Sequence, residues 1–477
     1  MASIIALISA VVVFFAATLF IAAGVAFAYS DMQALETFLF LSFLLGFLAS
    51  LTMITTANRF QKLNRLWVFY ASILMWITLA ILSSIPFIII EKLGIIHAFF
   101  EAISAIVTLG VSFTPRVDIS SSMAFYRGIL AWQGGLLTLL LCVYVLGRYQ
   151  VGGVPNQQLR HILHSSKSGD PRLRRTFFEV FIPYFALTAM CAAALAITSV
   201  GPADAINIAI NIISTNGFMP IETGASVLNN SFAEIILIIF MILGSTSILW
   251  HRSLIDRNWQ NTREQREAST YILAILFISI AAIINSLIFP SELFSPFQGV
   301  LNSVFDVVSI MSTTGITHDA RAGIAIPIQL TLALAVVGGC SYSTSGGIKV
   351  FRINAMFRHS ANEIRKLVYP HIVIAKSVHE DKNELALAKA IWSALFIAVI
   401  TIMLAALIFS FLGVNLSSSL SMAVGAFSST ANLITTTYIP PVGELPSNAI
   451  MITLAILSLL ARVELLVVLA MFSKIKW

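Results

Sequence analysis

Charged residues are scarce in this 477-residue chain, and their scarcity excludes an ordinary soluble globular protein. Asp, Glu, Lys and Arg make up 10% of the sequence, against roughly 25% in soluble proteins. Hydrophobic residues make up 58%, and the mean hydropathy is +0.92. This composition predicts a polytopic membrane protein. The net charge of +6 forms no basic patch interleaved with aromatic residues, so the sequence predicts no nucleic-acid partner.

Cysteine and nucleotide-binding motifs are also sparse. Cys142, Cys191 and Cys340 are the three cysteines, and all lie in apolar runs, so we interpret them as core residues and not as a disulfide framework. No G-x-x-x-x-G-K-[ST] or G-x-G-x-x-G motif occurs in the sequence. We therefore predict no cofactor in this chain and no nucleotide site of its own.

Lysine and arginine are concentrated on one side of the predicted membrane domain. Five connecting or terminal segments hold 23 of the 28 basic residues: 58–66, 148–175, 251–267, 349–389 and 473–477. The positive-inside rule places these segments, and with them both chain termini, in the cytoplasm. The opposite connections are poor in basic residues and carry acidic ones such as Glu91. We expect this acidic outer face to concentrate cations.

Apolar runs long enough to cross a bilayer predict ten transmembrane spans. They are 4–29, 37–57, 67–90, 123–147, 177–200, 231–250, 269–290, 325–348, 389–412 and 447–472. Four shorter apolar segments suit re-entrant helices that enter and leave on the outer side: 96–107, 204–213, 298–311 and 418–433. The predicted fold is therefore all-α, with four helix–pore loop–helix repeats around a central pore. The predicted units are a leading helix pair at 1–66 and repeats at 67–175, 176–267, 268–388 and 389–477.

A polar turn follows each short segment at a corresponding place in the repeat. The four turns contain Thr108-Leu109-Gly110-Val111, Thr215-Asn216-Gly217-Phe218, Thr313-Thr314-Gly315-Ile316 and Thr435-Thr436-Thr437. Non-helical backbone at membrane depth is tolerated where protein buries it or where it lines a water-filled path. Rings of carbonyl oxygens can replace the water of a monovalent cation. We therefore predict that these residues form the filter of a cation pore.

Glycine supplies the backbone freedom that inward-pointing carbonyls need. Gly110, Gly217 and Gly315 meet this need in three turns, whereas the fourth predicted turn has no glycine. The spacing to proline predicts its position, because Thr437 precedes Pro440 by three residues just as Gly217 precedes Pro220. Thr437 at this position leaves a weakly selective pore, passing sodium as well as potassium, as an open alternative.

The third repeat contains a glycine-rich stretch whose composition disfavours a continuous helix. It runs from 338 to 347 and includes Gly338, Gly339, Ser341, Ser343, Thr344, Ser345, Gly346 and Gly347. We predict an intramembrane loop beneath the filter that acts as a gate. Close helix packing through small residues is the alternative explanation.

Two charges lie inside the last apolar run, where a charged side chain is costly. Arg462 and Glu464 are two residues apart, and residues at that spacing on a helix do not face each other. We therefore expect Arg462 to face the pore, where it would raise the barrier to cations. A structural Arg–Glu ion pair is the alternative.

These motifs together resemble the membrane subunits, TrkH or TrkG, of the bacterial Trk/Ktr/HKT potassium transporter superfamily. The stretch G-G-C-S-Y-S-T-S-G-G-I-K-V at 338–350 is the most specific match, and A-R-V-E at 461–464 is another. The resemblance implies potassium uptake across a bacterial inner membrane and no enzymatic activity. It implies filter roles for Gly110, Gly217 and Gly315, and gating roles for 338–347, Lys349 and Arg462.

The resemblance also implies partners. Members of this superfamily form homodimers and bind a ring of cytosolic nucleotide-binding regulatory subunits of the TrkA type. The basic cytoplasmic segments are candidate docking surfaces, although they would equally meet anionic lipid head groups. Passive transport and proton symport both remain open. A polytopic membrane enzyme is a distant alternative, because it would need titratable residues that converge within the spans.

Overall fold

The structure is a computed structural model, and every regular element that it describes is a helix. This finding confirms the predicted all-α fold class. The described residues are 2–57, 64–147, 151–153, 171–198, 200–219, 230–255, 266–288, 296–317, 326–368, 378–438 and 445–472.

Two long apolar helices lead the chain. Helix α1 spans Ala2–Ala28 and α2 spans Met32–Ala57, and neither has an acidic residue in its first turn or a basic one in its last. They pack chiefly against each other, and α1 also packs on helices of the first repeat. The pair therefore stands beside the repeats, as predicted.

The rest of the chain runs four times through a long helix, a short helix, a turn and a second helix. The long first helices are α3 (Arg65–Ile89), α6 (Pro171–Ala196), α10 (Arg266–Ile288) and α14 (Val378–Phe411). The short helices are α4 (Ile95–Ile106), α7 (Pro202–Ile213), α11 (Pro296–Met311) and α15 (Leu416–Ser428). These short helices match the four predicted re-entrant segments to within a few residues, except that α15 ends five residues early.

Helix starts in the repeats follow ordinary capping chemistry. The Ser120 hydroxyl accepts a hydrogen bond from the Met123 amide at the start of α5 (Ser121–Leu141). The Asn415 side chain caps α15 in the same way, accepting from the Ser418 amide at 2.8 Å. Such caps satisfy amide groups that the first turn of a helix leaves without a partner.

The second helix is interrupted in the last three repeats, which changes the prediction of ten continuous spans. Seven described helices are long and apolar enough to cross a membrane unbroken. In the first repeat, α5 continues into a π-helical turn at Cys142–Leu146. In the second, α8 (Ser231–Ser245) and α9 (Ile248–Ile255) meet at a 99° bend. The predicted continuous span at 231–250 is therefore wrong.

The third and fourth repeats are broken more deeply. Helix α12 (Ile328–Val337) stops at Gly338, and α13 (Val350–Val368) begins twelve residues later. In the last repeat, α16 (Ala431–Thr435) is a single short helix, α17 spans Asn448–Val463 and α18 spans Leu465–Phe472. Glu464 separates the last two helices with a φ of +72°, so the predicted span at 447–472 is also broken.

The four repeats close into a ring. The second helix of each repeat packs against the short helix of the next: α5 on α7, α8 on α11, and α12 on α15. Helix α17 of the last repeat packs on α4 of the first. Because the same contact recurs four times and returns to its start, the short helices and their turns face a common centre.

Candidate cation pathway

Each short helix ends in a turn that contains one left-handed residue other than glycine. It is the second residue of each turn when the turns are counted from Val107, Ser214, Ser312 and Ser428. Its φ is +58° at Thr108, +54° at Thr215, +59° at Thr313 and +58° at Ser429. In the first turn the Thr108 amide bonds to the carbonyl three residues back and the Leu109 amide to the carbonyl five back. This is the Schellman pattern, which terminates a helix by satisfying its last carbonyls.

Threonine is an unusual residue for this conformation. A left-handed backbone costs an L-residue roughly 1–2 kcal/mol, and glycine is the usual choice. Thr108, Thr215 and Thr313 are nevertheless fully buried in it. Strained backbone that recurs at equivalent positions points to a functional site.

The fourth turn is Ser428–Asn432, and its hydrogen bonds establish its register. The Thr430 amide bonds to the carbonyl of Gly425, five residues back, as Leu109 and Asn216 do in their turns. The Ser428 and Thr430 hydroxyls hydrogen-bond at 2.8 Å, and so do the Ser312 and Thr314 hydroxyls of the third turn. Ala431 therefore occupies the position of Gly110, Gly217 and Gly315.

The prediction of the fourth filter turn at Thr435, Thr436 and Thr437 is wrong. Thr435 ends helix α16, and the Thr436 amide continues the helical pattern by bonding to the Asn432 carbonyl at 3.0 Å. Each hydroxyl bonds to the carbonyl four residues back, and the Thr435 side chain is exposed. The prediction relied on the three-residue spacing between Thr437 and Pro440. This spacing does not mark the filter turn, because the fourth repeat has an extra helical turn between the filter turn and Pro440. Pro440 itself lies outside the described residues.

The four turns meet. A Cβ atom added to Gly110 would lie 2.4 Å from the Gly217 nitrogen, and one added to Gly315 would lie 2.5 Å from the Ala431 nitrogen. One added to Gly217 would lie 2.4 Å from the Ala431 Cβ and 2.8 Å from the Thr314 carbonyl oxygen. Glycine is required at these three positions because neighbouring turns occupy the space of a side chain.

The short helices give this meeting point a negative electrostatic character. All four have their C-terminal ends at the turns, and a helix C-terminus carries roughly half a negative charge. Helix ends and unwound backbone carbonyls are the groups that coordinate cations at the midplane of membrane transporters. The arrangement suits a cation and disfavours an anion.

A buried ion cluster that the sequence analysis missed holds the first turn. Arg127 of α5 makes two hydrogen bonds to Glu91, at 2.6 and 2.7 Å, and one to Glu101 of α4 at 3.0 Å. Glu101 also accepts from the Ser112 hydroxyl and the Phe113 amide, just beyond the first turn. Glu91 was expected on an acidic outer face, but its charge is paired internally. The partners lie on separate helices, which a sequence does not bring together.

The second turn is braced by the same cluster. The Phe218 ring, which follows Gly217, lies under the guanidinium of Arg116 at 3.8 Å and near that of Arg127 at 5.8 Å. Phe218 and Arg127 are each 2% exposed. Desolvated cation–π contacts of this kind contribute up to about 2 kcal/mol. The first two turns are therefore fixed to one polar cluster.

The glycine-rich stretch is a buried loop, as predicted, and it touches the turns. The Gly346 amide donates to the Thr313 hydroxyl at 2.8 Å, and the Thr344 hydroxyl donates to the Ile213 carbonyl at 3.1 Å. Gly338 and Gly347 have φ of +69° and +78°. A Cβ on Gly346 would lie 1.9 Å from the Ser428 carbonyl oxygen. The loop therefore packs against the ends of three short helices.

Two charged groups hold this loop. One Glu267 oxygen, at the start of α10, accepts from the Ser341 amide at 2.6 Å and from the Phe351 amide at 3.2 Å. Lys349, with φ of +82°, donates its ammonium to the Ser345 carbonyl. Glu267 was not singled out from the sequence, because its partners lie more than seventy residues away.

Arg462 contacts the first turn directly. Its guanidinium donates to the Thr108 hydroxyl at 2.7 Å, its side chain is 6% exposed, and its Nε has no partner within the described part of the chain. Arg462 also lines a cavity of about 80 Å³ together with Ser345, Lys349 and Ser429. This volume and polarity suffice for several water molecules.

Glu464 is paired with Arg352 and not with Arg462. The Arg352 guanidinium reaches the two Glu464 oxygens at 2.5 and 2.8 Å and also donates to the Gly152 carbonyl. The alternative of an Arg462–Glu464 ion pair is therefore excluded. Arg462 remains a buried positive charge beside the first turn.

The fold and site define a class of polytopic helical membrane proteins in which four turns, each at the end of a short helix, converge on a cation-attracting centre. Comparison with known proteins identifies the family. The family model for TrkH, described as a cation transport protein, matches residues 31–431. This chain belongs to the TrkH family of cation transport proteins, which are transporters and not enzymes.

Individual relatives agree with this placement. The chain is 27% identical over 397 residues to the Trk system potassium uptake protein TrkH of Escherichia coli K12, covering 81% of each. It is 27% identical over 443 residues to the Trk system potassium uptake protein TrkI of Halomonas elongata, covering 90% of this chain and 87% of that protein. The crystal structure of the potassium transporter TrkH from Vibrio parahaemolyticus superposes with a TM-score of 0.85 at 22% identity, over 99% of this chain.

Proposed function

We propose that this protein takes up potassium through a pore whose filter is the ring of four turns. The observation that carries the proposal is the contact of Gly110 with Gly217, and of Gly217 and Gly315 with Ala431. A ring of backbone oxygens at four converging helix ends can replace the hydration shell of a monovalent cation. The curated relatives named above are potassium uptake proteins, which supports potassium as the ion.

The proposed ion-binding residues are the predicted ones in the first three turns and the corrected ones in the fourth. They are Thr108, Leu109, Gly110 and Val111; Thr215, Asn216, Gly217 and Phe218; Thr313, Thr314, Gly315 and Ile316; and Ser429, Thr430 and Ala431. Backbone oxygens are the proposed ligands, since the hydroxyl of Thr108 accepts from Arg462 and that of Thr313 from Gly346.

Gating is assigned to the loop at 338–347, Lys349 and Arg462. The Arg462 guanidinium, bonded to Thr108 at the inner side of the filter, repels a cation that leaves the ring. The loop closes against Thr313. Movement of the loop or of the arginine would open the path into the cavity lined by Ser345 and Ser429.

The wider assignment remains part of this proposal. The repeat boundaries at 67–175, 176–267, 268–388 and 389–477 are those expected from the sequence. The basic segments and both termini face the cytoplasm, and the membrane is a bacterial inner membrane. The chain acts with other components of a Trk system, a term that the relatives' names contain. The homodimer and the cytosolic nucleotide-binding regulatory subunit are those that the resemblance implies.

Ion flux into proteoliposomes tests the proposal. Purified protein is reconstituted with opposed potassium and sodium gradients, and uptake of each ion is measured against protein-free vesicles. Potassium-selective uptake is expected. Absence of flux of either ion from correctly folded protein would contradict the proposal.

A weakly selective potassium and sodium pore is the second candidate, and one observation favours considering it. Ala431 places a methyl group where the other turns have glycine, against Gly217. Thr437 no longer supports this candidate, because that residue lies outside the ring. Equal potassium and sodium permeability in the same assay would select this candidate.

A further inference from the structure

The fourth turn differs from the first and third in the path of the chain beyond its central residue. Val111 comes directly after Gly110, and its carbonyl accepts a hydrogen bond from the Ser104 hydroxyl of short helix α4 at 2.5 Å. Ile316 comes directly after Gly315, and its carbonyl accepts from the Ser309 hydroxyl of short helix α11 at 2.6 Å. The residue of the fourth repeat that corresponds to these serines is Gly425, which has no hydroxyl. The fourth turn therefore lacks the side chain that holds an extended exit strand.

The chain instead leaves the fourth turn as helix α16. The Ala431 carbonyl accepts from the Thr435 hydroxyl at 3.3 Å, and the Asn432 carbonyl accepts from the Thr436 amide at 3.0 Å. The Asn432 carbonyl is engaged as those of Val111 and Ile316 are, but the Ala431 carbonyl is also engaged, within helix α16. The fourth turn consequently has its central carbonyl occupied in a helix.

Asn432 carries a buried amide at this place. The residue is 1% exposed, and neither its Oδ1 nor its Nδ2 has a hydrogen-bond partner among the described residues. The corresponding residues in the other turns are apolar: Val111, Phe218 and Ile316. Burying an amide without partners is unfavourable, so an unpaired polar group here calls for a ligand.

The position of Asn432 links it to the ring. Its backbone nitrogen lies 3.2 Å from the place of a Cβ on Gly315, and its neighbour Ala431 meets both Gly217 and Gly315. An asparagine amide can turn over about its last bond without a change of shape. Either orientation can therefore present an oxygen, a neutral and hard ligand suited to an alkali cation.

We propose that the Asn432 side-chain oxygen is a ligand of the transported ion and replaces the Ala431 backbone oxygen that helix α16 engages. Asn432 is then a residue that sets affinity and selectivity in this chain. The proposal rests on the proposed function, because it names one ligand of that filter.

The test compares Asn432→Leu, which keeps the size and removes the oxygen, with Asn432→Asp, which keeps an oxygen. Thr436→Val is the matched control, because its hydroxyl bonds to the Asn432 carbonyl one helical turn away. Potassium uptake into proteoliposomes gives the half-saturating concentration and the potassium-to-sodium ratio. We expect Asn432→Leu to raise the half-saturating potassium concentration about tenfold, which is the loss of affinity typical when one polar contact to a charged group is removed. We also expect it to lower the potassium-to-sodium uptake ratio. Thr436→Val should stay within about threefold of wild type on the same scale, and Asn432→Asp, which keeps an oxygen, should not raise the half-saturating concentration.

A second readout does not depend on flux. The thermal unfolding of each variant in detergent is measured in potassium, sodium and choline chloride, because an ion that binds the folded state stabilises it. Asn432→Leu should lose the potassium-specific stabilisation that wild type shows. Wild-type values of both affinity and stabilisation in Asn432→Leu would overturn the inference. The inference would also be overturned if Asn432→Leu lost all flux but kept the potassium-specific stabilisation. Failure of the wild-type protein itself to transport would instead refute the proposed function.

Discussion

The third and fourth turns share a hydroxyl pair and a left-handed residue but not their central residue. Both have a Ser–x–Thr hydroxyl pair at 2.8 Å and a left-handed second residue, Thr313 or Ser429. The third turn then has Gly315 with φ of +68°, whereas Ala431 of the fourth turn enters helix α16. The end of the short helix thus determines the bend, and the residue after it determines where the chain goes next.

This difference separates two uses of glycine in the ring. Glycine is needed at Gly315 for two reasons. The backbone is left-handed, and the Ala431 nitrogen lies 2.5 Å from the place of a Cβ atom. Gly217 has no such φ and needs only the close approach of its neighbours. Ala431 needs neither, since its backbone is helical. The ring is therefore unequal in its tolerance of side chains.

The largest effect is expected from exchanging the two central residues. Gly315→Ala should lower potassium flux by about a hundredfold or more, because both a strained φ and a backbone clash oppose it. Ala431→Gly, its matched counterpart, should keep flux within about threefold. Flux of each variant in proteoliposomes, at equal protein content by size-exclusion chromatography, checks the pair. Equal losses in the two variants would contradict the comparison.

Arg462→Ala should raise basal potassium flux by about tenfold, since it removes a buried positive charge beside Thr108. Arg462→Lys keeps the charge and should stay near wild type. Potassium efflux from loaded vesicles without any partner protein measures this effect. Unchanged or lower efflux from a well-folded Arg462→Ala protein would remove Arg462 from the gate.

Glu267→Gln should loosen the loop at 338–347, because it weakens two charge-assisted hydrogen bonds to the Ser341 and Phe351 amides. We expect a loss of about 1–3 kcal/mol in stability together with a few-fold rise in basal flux. Glu363→Gln is the control, because Glu363 forms an exposed pair with Lys366 on α13. Thermal unfolding and vesicle efflux are measured together, and a stability loss without a change in efflux would limit Glu267 to a structural role.

The smallest effect is expected from the shared hydroxyl pairs. Thr314→Val and Thr430→Val each remove one neutral hydrogen bond, and each should cost about 0.5–1.5 kcal/mol of stability. Because the two pairs have the same geometry, the two shifts in unfolding temperature should agree to within about two degrees. A much larger effect at Thr430 would indicate that the fourth turn is built differently from the third.

Much of this architecture can be read from sequence patterns. The apolar runs, the basic segments and the recurring S/T-x-G turns predicted the four repeats, and the cluster of glycines predicted the break at 338–347. The spacing of Arg462 and Glu464 indicated that they do not pair, and the structure gives them separate partners, Thr108 and Arg352.

Other features depend on contacts that no local pattern records. Ser429 is left-handed because of hydrogen bonds at the end of α15, so S-S-T-A-N at 428–432 does not stand out beside T-T-T at 435–437. The Glu101–Arg127 pair joins residues on two helices. Glu267 is an end-of-helix acid by sequence and becomes an anchor through a loop distant in the chain.

Anomalous diffraction from crystals soaked in rubidium or thallium tests most directly the claim that the fourth filter turn is Ser428–Asn432. We predict a peak on the common centre of Gly110, Gly217, Gly315 and Ala431, within coordination distance of Asn432 and remote from Thr437. A peak beside Thr435–Thr437, or an ordered crystal with no peak between the four turns, would contradict the account.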